Sequence, residues 1–298
     1  MPEAKTVFKS LLKRAGDRGL KIFRREAMEN IKEIIRNRRS VRTFDGKEIS
    51  ASDLDKLTAF LEGIENPYGI PVAFKLLDAR EKGLSSPVIS GANLYVGAKV
   101  PREPYAEEAL GYSFEMLVLY AWSIGIGTVW IGGTFDRAAF ERAMELEGDE
   151  KMPCASPLGY PAKKMSLKEN MMRKAVRADN RLPFESLFFD GDFGVTLSEE
   201  KAGRLAEALE MVRWAPSAVN KQPWRVVVKE NNAHFFLKKN KGFVSDPVGN
   251  MQKIDMGIAL CHFDLTMRGN GLNVRFDLDD PKLVTEADTE YIATYHVL

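Results

Sequence analysis

Three short segments carry residue types that can grip an anion or a planar, polar ligand. The first is Arg38-Arg39-Ser40-Val41-Arg42, three guanidiniums and a hydroxyl within five residues. A guanidinium offers phosphate or carboxylate a rigid two-pronged donor, and a serine hydroxyl adds another. Where the chain is extended, Arg38, Ser40 and Arg42 face one way, because side chains alternate along a strand. At the end of a helix covering 28–37 the same run also reads as a solvated basic end complementing the helix dipole. The second segment is Ala215-Pro216-Ser217-Ala218-Val219-Asn220-Lys221-Gln222-Pro223-Trp224. Its prolines fix the backbone while Ser217, Asn220 and Gln222 present donors and acceptors. Such a loop suits the polar edge of a planar ring, or a plain turn-rich connection. The third is Gly125-Ile126-Gly127-Thr128-Val129-Trp130-Ile131-Gly132-Gly133. Glycines admit close backbone approach and leave N–H groups free to donate to a ligand. It reads equally as a helix stop, a buried strand and a turn.

The elements that must position these segments form a degenerate repeat. GKEISASDLDKLTAFLEGIENP, near residue 50, and GVTLSEEKAGRLAEALEMVRWAP, near residue 197, are each a serine cap followed by an apolar-periodic helix ending near proline. Ile49 matches Leu197 and Ser50 matches Ser198, 148 positions apart. GYSFEMLVLYAWSIGIGTVWI, from Gly111, and GIALCHFDLTMRGNGLNVRF, from Gly257, are nearly all-apolar helices that stop at a glycine and pass into a strand; Gly111 and Gly257, like Gly125 and Gly271, lie 146 apart. Helices apolar on most faces belong in the middle of a structure. Strands are predicted at 72–79, 93–100, 128–131, 155–160, 224–230, 233–239, 272–278 and 291–297, with Asn231-Asn232 as a hairpin turn. Short strands interleaved with helices predict an α+β fold in α/β/α layers.

The bulk composition narrows the field. Lys and Arg number 43 against 42 Asp and Glu, so nothing calls for nucleic acid or a membrane surface as partner. Cys154 and Cys261 share no pairing or zinc spacing and read as packed, reduced thiols in a cytoplasm. His234, His262 and His296 have no metal-ligand spacing, and His262 reads as a packed core residue. Residues 6–35 read as an amphipathic packing arm, with no apolar run long enough for a signal peptide or a spanning helix.

Taken together and in order, the three segments resemble the flavin-dependent nitroreductase family over roughly residues 28–298. Family members carry an RRSxR-like segment, an APSxxNxQPW-like loop, and an apolar helix entering a Gly-x-Gly…Trp-x-Gly-Gly segment. Gly159-Tyr160-Pro161, then Arg177 and Asn180-Arg181-Leu182-Pro183, fit the usual terminal segment. The departure is the spacing. A family subunit carries the first two segments about one helix apart, whereas 174 positions separate Arg42 from Pro216 here. The first half has Glu65-Asn66-Pro67-Tyr68-Gly69-Ile70-Pro71 in place of the loop. The second has Leu187-Phe188-Phe189-Asp190-Gly191 in place of the arginines, and Asn273-Val274-Arg275-Phe276 in place of Trp-x-Gly-Gly. Family members are homodimers with two flavins at the interface. The resemblance therefore implies a nitroreductase-like fold as a fused pseudo-dimer: an N-terminal helical arm (1–27), a first half (28–185) and a second half (186–298), packed as one monomeric unit with one live site.

By position, the resemblance gives Arg38, Arg39, Ser40 and Arg42 the phosphate and ribityl chain of FMN, with Arg181 in support. Pro216, Ser217, Asn220 and Gln222 would meet the flavin from the second half, and Trp130, Gly132 and Gly133 would approach its ring. The implied activity is ping-pong hydride transfer from NAD(P)H to a nitroaromatic or quinone-type acceptor. The flavin carries the chemistry, so no catalytic side chain is required. Two other readings share these motifs: a flavin-binding sensor or carrier with little reductase activity, and a specialised flavoenzyme such as a reductive dehalogenase or a flavin-modifying enzyme. Residues 80–92 read as a mobile loop near the site or as a plain surface connection.

Overall fold

The computed structural model describes residues 29–245 and 248–298. The arm expected over residues 1–27 lies outside them. Among the described residues no helix is long and apolar enough to cross a membrane.

The helices are α1 (Ile31–Asn37), α2 (Ala51–Leu61), α3 (Ala106–Ser123), α4 (Arg137–Ala143), α5 (Leu167–Ala175), α6 (Glu199–Ala202), α7 (Ala206–Trp214) and α8 (Met251–Gly269). Side chains cap several N-termini: Ser50 accepts from the Asp53 amide, Ser166 from Glu169, Ser198 from Lys201 and Asn250 from Gln252. The helix expected after Ser198 is broken in two. Gly203, at φ 52°, carries a 3-10 turn between α6 and α7.

A first antiparallel sheet runs β1 (Ala73–Asp78), β2 (Leu94–Pro101), β3 (Glu150–Leu158). A second has the order β4-β5-β6-β10-β9, from β4 (Phe188–Asp190), β5 (Trp224–Lys229), β6 (Asn232–Lys238), β9 (Val274–Asp277) and β10 (Thr289–Val297). Between β6 and β9 in sequence, β7 (Val244–Ser245) and β8 (Gly249–Asn250) form a small ribbon. Three expectations are corrected. The span 128–131 is not a strand; it joins the first sheet through isolated bridges, Gly127 to Gly159 and Ile131 to Ala155. β3 begins at Glu150, five residues before the predicted start, because Pro153 masks a strand in sequence. The hairpin turn is Glu230-Asn231, at φ 52° and 62°, with Lys229 paired to Asn232.

α3 lies on β2 and α8 on β5 and β6, and the two long helices pack on each other. Both begin earlier than Gly111 and Gly257, with polar first turns: α3 buries Glu107 and Glu108 there, and α8 buries Gln252. Lys151 pairs with Glu107 at 2.6 Å, and Lys253 with Glu108 at 3.4 Å. The crossing is reciprocal. A Cβ on Gly111 would collide with the carbonyl oxygen of Ile254, and one on Gly257 with that of Glu108. Glu108 and Ile254 are themselves 146 positions apart. One buried cluster spans both sheets and both helices, and a smaller one (Leu77, Tyr95, Phe140, Met152 and neighbours) lies under α4.

Candidate functional site

α1 ends at Arg38, where the backbone turns extended (φ −61°, ψ 132°). The following residues run beside 126–131: the Val41 amide donates to Thr128 O at 2.8 Å, and Ser40 bridges Thr128. Val41 is buried, so Ser40 and Arg42 face away from it, while the Arg38 side chain is itself buried beside Glu115. Arg39 pairs with Glu169 at 3.2 Å, an acid whose charge also bears on Arg42. Two further arginines, Arg173 and Arg181, add like charge nearby. Arg173, on α5, bears on Arg38, Arg42 and Arg181, and Arg38 bears on Arg181. Burial lowers the pKa of Arg38 and Arg42; burial first and the Arg38 charge second push Arg181 down to about 10. The Nε atoms of Arg38, Arg42 and Arg181 are all buried without a hydrogen-bond partner among the described residues. Orphaned guanidinium donors in a group of like charges are costly unless an anion completes them. The acids present are Glu115, Glu169 and Asp179, the last paired with Arg173.

The loop after α7 is anchored to the backbone around Arg181. Arg181 donates to Trp214 O at 3.2 Å and lies over the Trp214 ring, 5.1 Å from its centroid. Asn220 Nδ2 donates to the carbonyls of Arg177 and Asn180, at 2.8 and 3.0 Å. Gln222 accepts from the Leu182 amide at 2.8 Å, and its own amide donates to Ser217 Oγ at 2.8 Å. Pro216 opens the loop. Val219, Asn220 and Gln222 hold φ of 45°, 56° and 50°. Left-handed backbone outside glycine, above all at a β-branched residue, marks strain that a site maintains for a purpose. The clasp that holds it is Asp255 on α8, whose two oxygens take the Ala218 amide at 2.9 and 3.1 Å. Burial pushes the Asp255 carboxyl up to about 8, with the Ala218 amide as the opposing influence.

The third segment reaches the arginines through α3 and packs on the first residue of α8. Trp130 Nε1 donates to Glu115 on α3 at 3.0 Å, and Glu115 also faces Arg38 Nε at 3.9 Å. Gly132 lies against Met251, the first residue of α8: a Cβ there would fall 2.7 Å from Met251 Cε. Gly132 O accepts from Arg137 at 2.6 Å, and Gly133 is exposed. The structure thus brings Arg38, Arg42 and Arg181 into one cluster, ties Ser217, Asn220 and Gln222 to the backbone around Arg181, and links Trp130 to Arg38 through Glu115. Gly133 touches none of the others. The sequence reading did not single out Arg173, Glu115, Met251 or Asp255. Glu115 and Asp255 did leave a signal, as acids inside helices that are otherwise almost wholly apolar. Residues 80–92 are fastened to the arginine strand, with the Ser90 amide on Arg42 O and the Phe44 amide on Ser90 O, both at 2.9 Å.

The family model described as "Putative TM nitroreductase" matches residues 30–267. The chain belongs to this family. Among solved structures, this nitroreductase-family chain is similar to a putative nitroreductase from Thermotoga maritima MSB8. The two share 20% identity with a TM-score of 0.56, over 90% of this chain and 93% of that one. It is also similar to a nitroreductase with bound FMN from Bacteroides fragilis NCTC 9343, at 23% identity and a TM-score of 0.37, over 45% of this chain and 90% of that one. An FMN-dependent nitroreductase from Clostridium difficile R20291 matches at 17% identity and a TM-score of 0.38, over 47% and 94%. No curated protein matches the chain.

Proposed function

We propose that this nitroreductase-family chain is an FMN-dependent oxidoreductase with one composite flavin site per chain. The observation that carries the reading is the set of three buried guanidinium Nε atoms without a hydrogen-bond partner among the described residues, at Arg38, Arg42 and Arg181, beside a strained loop. A dianionic phosphate would satisfy those donors and offset the mutual repulsion of the arginines. The donor set therefore fits FMN. Arg38, Arg42 and Arg181, with Arg39 and Ser40, hold the phosphate end; Pro216, Ser217, Asn220 and Gln222 meet the flavin from the second half; Trp130 and the Gly132 and Gly133 backbone border the ring. FMN bound there supplies two-electron hydride exchange between NAD(P)H and a nitroaromatic or quinone-type acceptor. The protein's part is to bind, orient and surround the ring with positive charge.

The same proposal takes 28–185 and 186–298 as two halves of a fused pseudo-dimer. The reciprocal contact of Gly111 on Ile254 and Gly257 on Glu108 supports this, since a twofold interface pairs residue i with j and j with i. An interface already internal to the chain favours a monomer.

The test is the visible spectrum of the purified chain, with flavin released by heat and counted. About one FMN per chain, bleached anaerobically by NADH or NADPH and reoxidised by a nitroaromatic or quinone, is expected. Turnover no faster than that of free FMN refutes the enzymatic part; no flavin after reconstitution refutes the whole reading.

A further inference from the structure

Glu115 on α3 and His262 on α8 are both fully buried where the central helices meet, with His262 Nε2 3.0 Å from Glu115 Oε1. The other ring nitrogen, Nδ1, lies 2.9 Å from the carbonyl oxygen of Met211, on the helix that leads into the 215–223 loop. A carbonyl only accepts, so Nδ1 carries a hydrogen. Nε2 in turn faces an oxygen that only accepts when ionised, so one more proton lies between Nε2 and Oε1. Counted with that proton, the pair is neutral. Its second oxygen takes the Trp130 indole, and Arg38 Nε stands 3.9 Å from the first. Without the shared proton, the carboxylate would be a buried charge with Arg38 as its nearest counter-ion.

We propose that Glu115 and His262 form a neutral clamp that positions Arg38 and Trp130 while leaving the positive charge of Arg38 unspent for the phosphate of the cofactor. The inference rests on the flavin reading above. Both are positioning residues: they act through Arg38 and Trp130. The clamp makes an unusual demand on variants. His262→Gln keeps an N–H donor to Glu115 but cannot hold the extra shared proton, so the carboxylate turns to Arg38 and FMN loses its partner. Riboflavin, which lacks the phosphate, does not. Glu115→Gln lets His262 give up the shared proton, and the pair stays neutral. In the double variant no carboxylate remains, and Arg38 is free again.

The experiment measures dissociation constants for FMN and riboflavin on the full chain by flavin fluorescence titration. His262→Gln is expected to cut the preference for FMN over riboflavin by about tenfold or more, the size of a lost charged hydrogen bond. Glu115→Gln and the double variant are expected to stay within about threefold of wild type. An unchanged preference in His262→Gln overturns the clamp, as does a double variant as impaired as His262→Gln, which would mark a packing role. Should His262→Gln not fold, Glu115→Gln decides alone, and a tenfold fall there overturns it. Failure of the wild-type chain to bind either flavin refutes the flavin reading itself and is read separately.

Discussion

Replacing Asp255 by asparagine should change how the stability of the protein depends on pH. The carboxyl is buried, has the Ala218 amide as its hydrogen-bond partner, and is pushed up to about 8 from an ordinary 3.8. Between those values the native chain holds a proton that the unfolded chain has released. Stability from this group is therefore full at low pH, falls as pH rises through the window, and is level above about 8. Each pH unit within the window is worth about 1.4 kcal/mol. From pH 6 to pH 8, with half the protons gone at the upper end, the loss is about 2–3 kcal/mol. Asparagine keeps an oxygen for the Ala218 amide but does not titrate. Thermal unfolding of the flavin-free chain, followed by circular dichroism at pH 6, 7 and 8 at fixed ionic strength, should show Tm of wild type falling relative to Asp255→Asn. At about 2–4 °C per kcal/mol for a protein of this size class, the difference should move by about 5 °C or more. Parallel profiles would refute a buried, proton-holding Asp255.

Truncating Arg38 or Arg181 to alanine should weaken FMN binding by about 1.5–3 kcal/mol, as hydrogen bonds to a charged group are lost, with a smaller effect on riboflavin, measured by isothermal titration. Asn220→Ala removes the ties to the Arg177 and Asn180 carbonyls from a loop already strained; FMN affinity should fall by about 1–3 kcal/mol in the same assay. Gly111→Ala and Gly257→Ala each drive a methyl into a facing backbone carbonyl. Both should cost at least about 1–3 kcal/mol in denaturant unfolding, by similar amounts because the contacts are reciprocal.

The candidate site was legible in sequence where its chemistry is local. Arg38 to Arg42 and Pro216 to Trp224 announce themselves by residue type and order, and the buried long helices by their apolar stretches from Gly111 and Gly257. What escaped was whatever depends on convergence from afar. Arg173 belongs to a surface-patterned helix and joins Arg38 only because α5 folds back across the arginine strand. Asp255 is one acid in an apolar run, and its partner is a backbone amide 37 positions earlier, which no side-chain pattern encodes. The segment 128–131 is β-like in composition, yet it makes isolated bridges, because glycines at both ends interrupt the ladder. The apolar stretch begins at Gly111, and Glu107 and Glu108 ahead of it are the helix's buried first turn, stabilised by Lys151 and Lys253 from distant elements.

The proposed pseudo-twofold relation also accounts for why one site survives. At the 148- and 146-residue spacings that relate the halves, the arginine segment falls on the 187–190 stretch, Pro216 on Tyr68, Met251 on Tyr105, Asp255 on Ala109, and Trp130 on Phe276 at the end of the 273–276 segment. In the second position Tyr68 stacks on Tyr105, with centroids 5.7 Å apart, and meets Phe276 edge-on at 4.8 Å. Aromatic packing thus occupies the place where the first site has a loop, a thioether and an indole. That place lacks a counterpart of the 38–42 arginine segment, Arg275 beside it pairs with Asp277, and Ala109 in place of Asp255 offers no clasp for a strained loop. Opening it is therefore not enough to restore binding. Tyr68→Ala should lower stability by about 3–5 kcal/mol, in the range of large aromatic truncations, and still carry one FMN per chain. A second equivalent of FMN in that variant would show that aromatic filling, and not the missing arginine segment, had closed the second site.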